Sequence, residues 1–502
     1  MATQKNDQLF DLIRTLKKAE KRNFRIYAKK IQQKDEVLFL QLFDYLDKQE
    51  VYDLEALLES SDTFQKKQIP NLKRNLYQHL LNSLRLLYSH KQVTLQIREF
   101  LDYAEILYSK GLYLQALKIL GRAKKISTKS HQDVLHLEII AFETRIESRH
   151  ITRSSTQRMS DLIQESLDTN ETINLVSKLS SLKLYLQRVF INEGHLKVAE
   201  DVAETKRWFS QEMDKIKRTE TTFFENVFYY QSYYWYHFLL QEFEQCHKYA
   251  QKWVALYDAT PNMVEKDIDM YLRAMHHLLN TQFFVEDSVD LVKTVSEFER
   301  FIKQHKAHFS ENAFIQAHLF LYQAKFNTYF LQQDYKTGLS LIKNVEAFIK
   351  TYNHQLDNYK IMILYYKIAS CYFGAGQAAK TIDYLNHIIH QSKDSLREDI
   401  LLYARLLLTL AHFELQQFDI LDFLINTLQR QINQIDQPDQ LSVALLQLFK
   451  KLYGAIPGTE KRIYGAFLDD LRRLKKETSE RRAFIFLNIE PWILAKVGNK
   501  KN

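Results

Sequence analysis

The stretch that decides the fold is EFLDYAEILYSKGLYLQALKILGRAKKIS, Glu99 to Ser127. Phe100, Tyr103, Ala104 and Leu107 recur at helical spacing before Gly111, and Tyr113, Ala116, Leu120 and Ala123 recur after it. The pattern predicts two antiparallel helices around a glycine turn, with small residues setting a close approach and large ones filling the gaps. A helix-like stretch, a short polar turn and a second helix recur five times along the chain.

The turns are in phase. Gly111, Gly194, Gln241, Gln333, Gly376 and Gln416 are separated by 83, 47, 92, 43 and 40 residues. The two large gaps are close to twice the small ones. Degenerate units are therefore expected between them, with turns near Arg149–Arg153 and near Phe284–Asp287. This gives about eight helix pairs with a period of 40–47 residues. Later copies keep the packing stripe through Tyr230, Tyr233 and Tyr234; through Tyr322, Phe326 and Tyr329; and through Tyr365, Ile368, Ala369 and Tyr372. Cys246 stands where a small buried residue is wanted.

The repeats resemble tetratricopeptide (TPR) repeats, although the standard unit of that family is ~34 residues. The runs LKKAEKRNFRIYAKK (Leu16–Lys30), LFDYLDKQEVYDLEAL (Leu42–Leu57), ARLLLTLAHFELQQFDILDFLINTLQR (Ala404–Arg430) and the closing ERRAFIFLNIEPWI also resemble a family of bacterial TPR proteins with no agreed activity. The resemblance implies an all-α solenoid, a right-handed superhelix of TPR-like pairs with helical caps, working in the bacterial cytoplasm. Residues 1–95 would form an N-terminal cap, 96–432 the repeat array and 433–502 a C-terminal cap. Such arrays present an extended concave surface lined by the first helix of each pair. The first-helix faces turned away from the packing stripe carry Tyr108, Trp235, Phe238, Phe330, Tyr366 and Phe373, expected to bind a protein or peptide partner.

Composition agrees with the helical reading. Ten glycines and five prolines in 502 residues are too few for the turns of an all-β fold. The start carries charges where a secretory leader needs an apolar core, and no uninterrupted apolar run reaches the ~18 residues of a membrane span. Cys246 and Cys371 show neither pairing nor metal-ligand spacing. Residues 1–34 and 450–502 each carry a net charge of +7, leaving −6 between them. Basic ends could contact nucleic acid, but in the run Lys17, Lys18, Lys21, Arg22, Arg25 the charges are interrupted by Phe24, Ile26 and Tyr27 as anchors. Nucleic acid is disfavoured on that ground.

No catalytic, cofactor or metal set is evident. The segment from Gly374 to Thr381 approaches a phosphate-binding loop, with Ala379 in place of the second glycine. It follows a helix in repeat phase where such a loop follows a strand, so it reads as an inter-helix turn. His276-His277, His305/His308 and His387/His390 lack accompanying ligands. The expectation is a non-catalytic scaffold or adaptor without cofactor, membrane contact or identified small-molecule substrate. The apolar C-terminal segment around Phe484, Phe486, Leu487, Trp492, Ile493 and Leu494 is expected to fold back and close the last repeat.

Overall fold

The structure is a computed structural model that describes residues 7–31, 36–53, 55, 58, 64–150, 155–216, 222–391, 398–435 and 437–498. Among the described residues it contains twenty-four α-helices and no strand. The chain divides into two compact units, Met1–Asn174 and Leu175–Asn502.

The first unit opens with α1 (Gln8–Thr15), α2 (Lys18–Ile31), α3 (Glu36–Lys48) and α4 (Ile69–Tyr88). Their core includes Ile13, Phe24, Ala28, Leu42, Phe43, Leu46 and Leu76. Phe24 anchors α2 as expected, whereas Ile26 is 47% exposed and anchors nothing. Its face is the one that carries charge. Two of the basic residues are engaged locally, Lys21 with Asp47 and Arg25 with both Asp44 and Asp47.

Three helices follow in this unit, α5 (Val93–Ser109), α6 (Tyr113–Lys129) and α7 (Asp133–His150). Ala104, Ala116 and Ala123 are wholly buried between them beside Ile97, Leu120 and Ile139, so small residues do set the close approach. Next comes α8 (Thr156–Glu193), 38 residues without a break. The boundary between the units falls inside it. The turn expected near Arg149–Arg153 begins in the last turn of α7, and Ile151–Arg153 lie outside the described residues. No glycine or proline interrupts Thr156–Glu193, so the second helix of one degenerate pair runs on as the first helix of the next.

The second unit continues with α9 (Ala199–Asp214) and then hairpins of consecutive helices. These are α10 (Phe223–Leu239) with α11 (Phe243–Ala259); after the short α12 (Asn262–Lys266), α13 (Ile268–Phe284) with α14 (Ser288–His305); α15 (Glu311–Gln332) with α16 (Tyr335–Tyr352); α17 (Asn358–Gly374) with α18 (Ala378–Gln391); and α19 (Glu398–Glu414) with α20 (Phe418–Gln434). Each helix packs on the next, and α13, α15, α17 and α19 also touch one another in succession. The chain ends with α21 (Gln440–Tyr453), α22 (Glu460–Leu474), α23 (Arg481–Phe486) and α24 (Glu490–Val497).

The turns are where the spacing places them. Gly111, Gly194, Gln241, Gln333, Gly376 and Gln416 all have positive φ, from +55° to +76°, and so does Glu286 (+56°) in the degenerate unit. A left-handed residue lets the chain leave one helix and re-enter the next within two or three residues. Helix starts are fixed by side-chain caps: Asp287, Asp334, Asp357 and Asp439 each accept a hydrogen bond from a backbone N–H three residues on. Thr222 and Glu225 form a reciprocal capping box at the start of α10. The segment Gly374–Thr381 is the end of α17, the turn after it and the first residues of α18, with Thr381 buried and donating to the Ala369 carbonyl.

Candidate functional site

The inner faces of successive first helices in the second unit enclose a chamber of about 950 Å³. Residues at i, i+3, i+4 and i+7 along each helix line it. From α10 come Tyr234, Trp235 and Phe238; from α13, His276, Asn280 and Phe283; from α15, Phe320, Gln323, Asn327 and Phe330; from α17, Ile363, Tyr366, Lys367, Ser370 and Phe373. Phe190 of α8 and Leu407 of α19 extend the same wall. Trp235, Phe238, Phe330, Tyr366 and Phe373 are thus brought together on one surface. Tyr108 belongs to the first unit, where it is half-buried, donates to or accepts from His150 Nε2 at 3.1 Å and lies beneath the Arg145 guanidinium.

The opposite wall is the chain's own C-terminal segment. It does fold back on the last pair, with Trp492 and Lys496 of α24 reaching Glu414 of α19, but it also continues along the inner faces of the earlier helices. Arg481 makes two hydrogen bonds to Glu244, at 2.7 and 2.9 Å, and Gln241 donates to the Ser479 carbonyl at 3.1 Å. Ile485 sits against the cluster of Tyr234, Phe243, Cys246 and Leu278. Tyr366 donates its hydroxyl to the Phe486 carbonyl at 3.0 Å, while the Phe486 ring stacks on Tyr403 with centroids 5.2 Å apart. Trp492 donates to Glu414 at 2.5 Å beside Phe373, and Lys496 pairs with the same carboxylate at 2.6 Å. Lys475 reaches Glu490 at 3.2 Å, and Leu441 N–H donates to the buried Glu480 carboxylate. The segment therefore uses aromatic stacking, backbone carbonyls and charged ends, which are the contacts a docked peptide uses.

Electrostatically the chamber is uneven. Among the described residues, five cations line it (Lys360, Lys367, Lys475, Arg481, Arg482) against three acids (Glu244, Glu286, Glu414), and each acid has a cation within ion-pairing distance. Burial pushes Lys367 down to about 8. Burial, with help from Lys367, Arg273 and Lys360, lowers His276 to about 3, so this imidazole is neutral and stacks flat on Phe320 at 3.9 Å. The neighbouring His277, held well below the ordinary histidine range by burial, leaves its Nδ1 buried without a hydrogen-bond partner. Cys246 is buried with its Sγ 3.6 Å from the Tyr234 carbonyl, and burial drives its thiol far upward; it is a packing residue.

Among the described residues, no group of three or more histidine, cysteine or acidic side chains is placed to hold a metal ion. No described helix is long and apolar enough to cross a membrane. The polar lining residues Lys367, Asn327, Gln323 and His276 were not foreseen from the sequence. For two of them the signal is positional: Gln323 and Asn327 each lie three residues from a lining aromatic, Phe320 and Phe330, on a first helix. Comparison with protein-family models, with curated proteins and with solved structures finds no match.

Proposed function

We propose that the chain is a non-catalytic adaptor, a bacterial cytoplasmic α-solenoid of TPR-like pairs wound as a right-handed superhelix. It holds a segment of a partner protein in the chamber between its first helices and its own C-terminal segment. The observation that carries this reading is the convergence of Trp235, Phe238, Phe330, Tyr366 and Phe373, from three hairpins, on one enclosed surface. Rigid aromatic side chains presented by helices cost little entropy to order and supply the anchoring energy of most protein interfaces.

The chain's own segment shows the chemistry that this wall accepts. Phe486 inserts its ring beside Tyr403 while its carbonyl takes the Tyr366 hydroxyl, and Ile485 fills an aromatic pocket. A partner segment with an aromatic or aliphatic anchor every few residues would find equivalent contacts in the space that remains.

A peptide-display selection on the intact chain tests the reading. Enriched peptides should carry such anchors and should lose at least tenfold in affinity in Trp235→Ala or Phe330→Ala, a loss of about 1.4 kcal/mol or more. Enriched peptides that bind both variants as tightly as the parent chain, or no enrichment at all, would overturn it.

A further inference from the structure

Lys367 stands out within the chamber. Its Nζ donates to Asn327 Oδ1 at 2.6 Å and lies 5.7 and 5.6 Å from the ring centroids of Phe283 and Phe330. Among the described residues, no carboxylate is within ion-pairing distance of it, whereas Lys475, Arg481 and Lys360 of the same lining each have one. Burial is the sole cause of its lowered pKa, as expected where no acid is near, and the value of about 8 leaves it protonated at neutral pH. A desolvated cation without a counter-ion is unfavourable unless something supplies the charge. The groups around it supply none: His276 is neutral, and Asn327, Gln323 and Ser370 are uncharged.

From this geometry we infer that the chamber binds a monoanionic ligand in which a carboxylate is joined to an apolar or aromatic body. The carboxylate pairs with Lys367 Nζ, which keeps two N–H groups beyond the bond to Asn327. The body lies among Phe283, Phe320 and Phe330. The chamber's volume is within the ~300–1,000 Å³ range of small-ligand sites. The inference does not rest on the adaptor reading, because such an anion can be a free small molecule or the end of a peptide chain.

The test is calorimetric titration of the intact chain with two matched pairs: 2-naphthoate against 2-naphthamide, and N-acetyl-phenylalanyl-leucine as the free acid against its amide. At least one acid should bind tenfold or more tightly than its amide. The preference should fall below twofold in Lys367→Met and persist in Lys380→Met, where the lost cation lies outside the chamber lining. Lys367→Met should also melt at or above the parent temperature, since it removes a half-buried cation with no carboxylate beside it among the described residues; this shows that the variant is folded. Preference for naphthoate alone identifies a free small acid, and preference for the dipeptide acid identifies a chain end. Equal binding of acid and amide, binding of neither at millimolar concentration, or a preference that survives Lys367→Met would overturn the inference.

Discussion

Two glycines two residues apart do different work in the turn after α17. Gly376 has φ +75° and open space where a side chain would stand, so it is needed for its backbone conformation alone. At Gly374 the backbone is ordinary, but an added Cβ would lie 2.3 Å from the Tyr335 ring. Gly376→Ala is therefore expected to cost about 1 kcal/mol, and Gly376→Asn less, since asparagine tolerates the left-handed region. Gly374→Ala is expected to cost about 1–3 kcal/mol through overpacking, and Asn there should be no milder than Ala. Denaturant unfolding of the four variants separates the two causes. At this scale the sequence was readable at the turns, because a glycine or glutamine punctuating helical periodicity marks a left-handed residue. It was unreadable at Lys367, since a lysine between Tyr366 and Ile368 on a helix has the same local pattern whether it faces water or a chamber. Only the neighbouring α13 and α15 decide that.

The helices show where periodicity suffices and where it fails. Long first helices with two apolar faces, one for the paired helix and one for the inner wall, yield the aromatic excess seen between Phe223 and Phe238. That excess suggests deep burial throughout, yet of its ten aromatics only Phe223 and Tyr234 are buried; the others are half-buried, Trp235 and Phe238 of them at the chamber. The fused helix α8 was hidden because its two halves belong to different pairs and bury different faces. The C-terminal segment was recognised as a lid from its apolar content, but its course along the inner wall depends on distant partners such as Glu244 and Tyr366. Ile493 is fully buried in this element. Ile493→Ala is expected to destabilise the chain by about 2–5 kcal/mol. It should also hasten tryptic cleavage at Arg481 and Arg482 in the native state; cleavage there at the parent rate would show that the segment is not held by its α24 anchor.

At the scale of the whole molecule, the first unit supplies a helical start, the clear pair α5 and α6, and α7 with the first part of α8, while the second unit encloses the chamber. The basic character of the two ends, which invites a nucleic-acid reading, is partly used within the fold. Lys21 and Arg25 pair with Asp47 and Asp44, Arg481 with Glu244, and Lys496 with Glu414. What distinguishes the second unit is that aromatic side chains separated by up to 138 residues, Trp235 to Phe373, share one surface with the chain's last helices. The central claim is that this surface receives the partner. Its most direct test places a photoreactive benzoylphenylalanine at position 330, inside the chamber, or at position 423, where Phe423 is 66% exposed on the outside. Irradiation in the native host should give a discrete polypeptide adduct from position 330 that is absent from position 423 and is lost when Trp235→Ala is added. The same adducts from both positions, or an adduct only from position 423, would contradict the claim.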